Sequence, residues 1–231
     1  MGARGPISAY WLGRVAYGAA HELQERVLRA RIAQEIGDTI LLLEHEPVIT
    51  LGRGADASHV LLDEAQRGKR GIALHETGRG GDATYHGPGQ LVAYPIVALH
   101  ERGLLVRPFV RALEAALVET CATLGVDAGR RDGHPGCWCD ANGPSPRKIG
   151  ALGLRVERGV TYHGIALNVT VDLADFELID ACGMPDVVST SIARERGDLA
   201  AEPTTASVEA AAWIFAAAFA AAIDAPLVRG A

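Results

Sequence analysis

The chain has 231 residues, 48% of them hydrophobic, with a formal charge of -6 and a pI near 5.7. That length suits one folded unit, the apolar share is ample for a core, and the absence of a long basic run argues against a nucleic-acid surface. The longest apolar stretch, Ala210–Ile223, is too short and too rich in alanine to suit a membrane span. The N-terminal Met1-Gly-Ala-Arg-Gly-Pro6 has no continuous apolar segment of a signal peptide, and Cys121, Cys137, Cys139 and Cys182 show no secreted disulfide framework. Reduced thiols in the cytoplasm are the expectation.

In chain order, residues 7–12 read as a short strand. Tyr17–Glu35 reads as an amphipathic helix with Ala20, Leu23, Val27 and Ala30 on one face, ended by Gly37-Asp38. Residues 39–45 and 48–51 are strand-like, broken by Pro47, and Asp56 suits the cap of a short helix through Leu62. Gln66-Arg-Gly-Lys69-Arg-Gly71 reads as a solvated turn. Strands are expected at 72–77 and 91–96, either side of a glycine-rich loop. A long helix over 107–124 spaces Val110, Leu113, Leu117 and Cys121 for burial. Short strands follow at 126–129 and 137–140, then a hairpin of 149–156 and 160–171 around Arg158-Gly159. The last helix, about Val208–Ile223, repeats Phe215, Phe219 and Ile223 at helical spacing and is expected to dock on the body. Runs of strands interrupted by long helices spell an α+β fold rather than regular βαβ units.

Two features carry chemistry. In Arg79–Pro95, Gly80, Gly81, Gly87 and Gly89 and two prolines are interleaved with Arg, Thr, Tyr, His and Gln. Such density implies a backbone that approaches something closely, a long surface loop being the plain alternative. The second feature is lysine usage: of 22 basic residues only Lys69 and Lys148 are lysines. Arg cannot accept a proton, whereas a desolvated Lys can. Lys148 opens an apolar, glycine-rich stretch and is the stronger candidate of the two. Cys182, in Asp180-Ala-Cys-Gly-Met-Pro185, has small or turn-forming neighbours that leave a thiol accessible, although a lone Cys before Gly is commonly a small core residue.

The wording Arg79-Gly-Gly-x-x-Thr-Tyr-His-Gly-Pro-Gly-Gln-Leu-Val-x-Tyr-Pro95 closely resembles the signature of the lipoyl(octanoyl) transferases, within the biotin/lipoate protein ligase superfamily. The resemblance continues in Trp11-Leu12-Gly13, Leu43–Arg53, Lys148–Gly153, His163–Val169, Cys182-Gly183 and Thr190-Ser191, and so spans roughly residues 11–191. It implies a mixed β-sheet with helices packed on one side, forming a single catalytic domain over 1–231 with 206–224 a docked C-terminal helix. The implied activity moves an octanoyl group from acyl carrier protein to a lysine of lipoyl domains through a cysteine acyl-thioester, the first step of lipoate cofactor assembly. The implied nucleophile is Cys182, with Lys148 its partner. The implied acyl contacts are Arg79, Gly80, Gly81, Asp82, Ala83, Thr84, Tyr85 and His86, then Ala151, Leu152 and Gly153, then Gly164, Ile165 and Ala166.

The implied partners are an acyl carrier protein bearing octanoyl-phosphopantetheine and, as acceptors, lipoyl domains of 2-oxoacid dehydrogenases and the glycine cleavage H protein. No cofactor, metal, nucleic acid or membrane is expected. His86 is read as orienting, His163 as a satisfied structural histidine, and Asn168 as tying a loop. Two departures stand out: Ala181 where the family usually has Pro, and Cys137-Trp138-Cys139 where it usually has Val-Trp-Val, read as core thiols replacing Val. The competing readings are an ATP-dependent lipoate or biotin ligase, a non-catalytic acyl-carrier-binding protein, and a thioesterase.

Overall fold

A computed structural model describes residues 5–180, 187–198 and 205–230. Its centre is a mixed sheet. The strands are β1 (Ile7–Val15), β2 (Asp38–His45), β6 (Gln90–Ile96), β7 (Gly129–Arg131), β8 (His134–Cys139), β9 (Arg147–Glu157), β10 (Val160–Asn168) and β12 (Leu227–Arg229). They lie in the order β12-β1-β2-β6-β10-β9-β8-β7, with the short β11 (Val188–Ser189) beside β9. A second small sheet, β4-β3-β5, is made by Ala73–Glu76, Val48–Leu51 and Ala83–His86.

Alternation along the central strands sends side chains to two faces. On one face Ile40, Leu42, Leu91 and Ile165 meet α3 (Val106–Thr123) and α5 (Thr205–Ala222). On the other, Leu41, Leu43, Val92 and Tyr94 meet α1 (Tyr17–Ile32) through Ala20 and Leu28. The mixed sheet is as expected, but the helices are not all on one side. β2 and β6 are apolar at successive positions, so both faces need cover, and α1 covers the second. On α5, Phe215 stacks with Phe219, and Phe219 meets Phe109 of α3 edge-on at 5.6 Å. Alanines at 211, 212, 216 and 220 let α5 lie close. No described helix is long and apolar enough to cross a membrane.

Several local readings change. β1 runs to Val15 because an irregularity between Trp11 and Arg14 carries the chain past Gly13, where φ is +69°. Asp56 does cap, but only a 3-10 turn at Ala57–His59. The stretch read as a turn around Lys69 is helical: α2 (Glu64–Arg70) opens on a capping box of Asp63 and Gln66 and closes on Gly71 in the left-handed region. β5 emerges inside the expected loop. β7 begins three residues later than the strand expected at 126–129, because Val126 instead closes the end of α3, its N–H donating to Cys121 O.

Candidate active site

The β9–β10 hairpin builds one wall. Its register sets Ala151 against Ala166, Leu152 against Ile165, and Gly153 against Gly164. The two segments the resemblance singled out are thus cross-strand partners, residue by residue. β5 supplies Ala83, Thr84 and His86 opposite, and Arg79, Gly81 and Asp82 close the rim. Together they enclose a cavity of about 70 Å³. Lys148 stands at one end. Five residues along β9, about 17 Å of strand, lies Gly153 at the other.

The glycines here serve close approach of the protein to itself. A Cβ on Gly153 would come within 2.8 Å of Gly80 O, and Gly80 donates its N–H to Leu154 O at 3.1 Å. A Cβ on Gly164 would sit 2.0 Å from Ala93 O of the neighbouring strand. Larger residues at either position force β9 from the glycine-rich segment or β10 from β6.

Arg79 organises that segment. Its guanidinium donates to Thr50 Oγ1, to Thr50 O at 2.6 Å, to Asp82 O at 2.7 Å and to Gly80 O. Asp82 Oδ1 accepts from Ala83 N–H and from His59 Nδ1 at 2.8 Å, and this hydrogen bond raises the His59 pKa above its ordinary value. Two expected contacts stand outside the lining. Gly80 is held behind the rim, and Tyr85 points to the opposite face of β5, where it packs edge-on to Phe176 among Ile49, Leu178 and Ile179. Cys182 lies outside the described residues.

The end remote from Lys148 is a set of rings: Tyr17 from the start of α1, Tyr94 from β6, and His163. His45 Nδ1 donates to Val15 O, so its Nε2 accepts from Tyr94 OH at 2.7 Å. His86 Nδ1 donates to Gln90 Oε1 at 2.6 Å, leaving Nε2 as an acceptor. Gln90 in turn donates to Asn168 Oδ1, and Asn168 donates to Thr190 O. Asn168 therefore ties the chain before α4 (Ile192–Arg196) to the sheet, as expected. Thr190 N–H reaches Lys148 O at 2.9 Å, so a run of hydrogen bonds connects His86 to the backbone of Lys148.

Burial holds these imidazoles neutral, pushing His45 down to about 4 and His86 and His163 down to about 3. His163 departs from its expected role: it faces the cavity, stacks on Tyr162 at 4.8 Å, and its Nε2 has no hydrogen-bond partner among the described residues. Sequence reasoning missed Tyr17 and Tyr94 as lining groups. Tyr94 stood within the signature wording, but Tyr17 opens a helix with no local mark of its destination.

A family model described as the lipoyl protein ligase A/B catalytic domain matches residues 16–219. The chain belongs to this family. The octanoyltransferase of Acidobacterium capsulatum is 47% identical over 192 residues, covering 80% of this chain and 78% of that one. The octanoyltransferase of Chloroflexus aggregans is 44% identical, covering 83% and 86%. The chain is an enzyme of octanoyl transfer in lipoate biosynthesis. Its fold is that of a bipartite lipoate protein ligase solved from Thermoplasma acidophilum, with a TM-score of 0.71 over 98% of this chain and 87% of that one at 14% identity. A lipoate-protein ligase A solved with ATP superposes with a TM-score of 0.65 at 16% identity, over 98% and 88%. At these identities the structures speak to fold alone.

Within the family site, the two departing thiols are core groups. Cys137 and Cys139 are buried with Cys121 in the cluster beneath α3, as expected of replacements for Val. Burial pushes the Cys139 thiol up to about 12, and a hydrogen bond with Cys137, reinforced by burial, raises Cys121. Neither suits a nucleophile.

Proposed function

We propose that octanoyl transfer proceeds through an acyl-thioester on Cys182, with acyl carrier protein as donor and a lysine of a lipoyl domain as acceptor. The Cys182 thiolate attacks the carbonyl carbon of the donor thioester. The new C–S bond forms as the carrier's C–S bond breaks, and the carrier leaves as a thiol with a proton given up by the Lys148 ammonium, which becomes the amine. The acceptor amine then attacks the same carbon, an amide forms, the Cys182 thiolate departs, and the amine's proton is passed on. The ammonium of Lys148 favours the thiolate, and its amine takes the proton in the second step.

The observation that carries this reading is the position of Lys148. It lies at the end of a small-residue cavity with uncharged histidines, which suits an alkyl chain. The described residues nearest Cys182 in sequence are also fixed around this region. Asp180 N–H donates to His59 O, while Val188 and Ser189 pair with Arg147 and Lys148. The acceptors proposed are lipoyl domains of 2-oxoacid dehydrogenases and the glycine cleavage H protein.

Intact-mass measurement after mixing with octanoyl carrier, without nucleotide, tests the proposal. One octanoyl group is expected on the wild type and none on Cys182→Ala, and transfer to a lipoyl domain is expected to disappear in that variant. Full turnover by Cys182→Ala removes the thioester from the mechanism.

A further inference from the structure

A second hollow, a groove of about 720 Å³, lies outside the cavity and is lined by Arg131, His134, Trp138, Pro146, Arg147 and Val188, with Val187 at its inner edge. A neck of about 30 Å³ shares Val187 with the groove and shares Lys148, Thr84, Ala151 and Ala166 with the cavity. The hollows form a series of groove, neck and inner cavity, and Lys148 lies in the wall of the last two.

Trp138 forms the base of the groove and is fixed there: its indole N–H donates to His134 O at 3.0 Å. The Arg131 guanidinium lies 5.3 Å from the ring centroid, Lys148 Nζ lies 5.4 Å from it, and the His134 ring meets it edge-on. Arg147 is neutralised by a bidentate pair with Glu195. Among the described residues Arg131 pairs with no carboxylate and no Asp or Glu lines the groove. On a chain of net charge -6, this is a local site for an anion. Beside it run apolar surfaces of Pro146 and of Val188, which is half exposed.

An occupant that suits this series is elongated, carries a phosphate at one end and amides and methyls along its length, and ends in a thioester at Lys148. We propose that the groove holds the phosphopantetheine arm of the acyl donor, its phosphate against Arg131 and its pantetheine along Trp138, Pro146 and Val188, with the acyl chain passing the neck into the inner cavity. This rests on the thioester reading above. An acceptor lysine has no phosphate and gives Arg131 no such task.

The test measures acylation of the full chain and its Arg131→Glu variant by octanoyl-phosphopantetheine, by octanoyl-pantetheine, which lacks the phosphate, and by octanoyl carrier. Transfer from the pre-acylated enzyme to a lipoyl domain is followed separately. Arg131→Glu is expected to lower kcat/KM by about tenfold or more with both phosphate-bearing donors, through KM, a loss typical of one charge-assisted contact. The phosphate-free donor and the second step are expected to change by less than about twofold. Equal loss with all donors, loss confined to the second step, or no loss overturns the groove assignment; loss confined to the second step assigns the groove to the lipoyl domain. Absence of any adduct on the wild type with every donor overturns the thioester reading instead, and the groove assignment falls with it.

Discussion

Arg147 gives its guanidinium to Glu195 at 2.8 and 2.9 Å, whereas its neighbour Lys148 turns its ammonium to the face of Trp138 at the cavity end. The two cations differ in task because they differ in chemistry. The planar fork of Arg suits a bidentate carboxylate, and the amine of Lys can give up and retake a proton. Glu195 is held also by Thr190 Oγ1 at 2.6 Å, so the pair fixes the strand on which Lys148 sits. Lys148→Arg separates charge from proton transfer. If Lys148 takes the acceptor's proton, the variant forms the acyl-enzyme at least in part and accumulates it, while turnover falls about 100-fold or more, the usual contribution of a general base. Quenched-reaction mass spectrometry with and without a lipoyl domain reads both quantities. Wild-type turnover in this variant would leave Lys148 with charge stabilisation alone.

Among the elements, periodic ones were legible and those set by remote side chains were not. α1, α3 and α5 follow from their spacing, and the β9–β10 hairpin from two apolar runs around Arg158-Gly159, where φ is positive at both residues. β5 was hidden because four residues between glycines carry too little periodicity to register. Within the site, the resemblance supplied the walls. The ring cluster at the far end was not legible, because Tyr17, His45, Tyr94 and His163 come from four separate elements. Asp38 shows the same limit: in sequence it reads as the end of a helix, yet it is the centre of a buried ionic knot. Its carboxylate accepts from Arg31 at 2.7 Å, from Arg102, and from the Ala98 N–H. It thereby joins the end of α1, the start of β2 and the turn after β6. Asp38→Asn takes from buried Arg102 its carboxylate partner and leaves Arg31 with Glu101 alone, and is expected to cost about 3–5 kcal/mol of stability, the usual penalty for removing one partner of a buried pair. A urea midpoint unchanged from wild type would show that solvent reaches this knot.

For the molecule as a whole, the neutral ring cluster ties the cavity to stability. His45, His86 and His163 titrate near 6.5 in the unfolded chain, but burial holds them near 4, 3 and 3 in the fold. Above pH 6.5 both states leave them neutral, so their effect on stability is nil. As pH falls below 6.5 the unfolded chain binds protons that the folded chain refuses, and stability is lost progressively until the folded values are reached. His59 has the opposite sign: its raised pKa gives stability that is full below about 6.5 and fades as pH rises through the folded value. Its loss lies on the alkaline side and cannot produce the acid slope. The carboxylates whose pKa values are lowered, Glu101 by Arg31, Glu195 by Arg147 and Asp56 by the Ser58 N–H, begin to lose stability only near and below their ordinary values, 4.5 for the two Glu and 3.8 for the Asp. The window from pH 6.5 to 4.5 therefore isolates the buried histidines. The melting temperature is expected to fall by about 5 °C or more across it, since about 1 kcal/mol corresponds to about 2–4 °C in a chain of this size. His163→Asn removes one titrating ring while keeping a residue that tolerates the positive φ of 55° found there, and it should flatten the slope by about a third. His86→Gln should flatten it by a similar share. A slope unchanged in both variants would place the acid sensitivity outside the cavity and break the connection between its neutral interior and the stability of the fold.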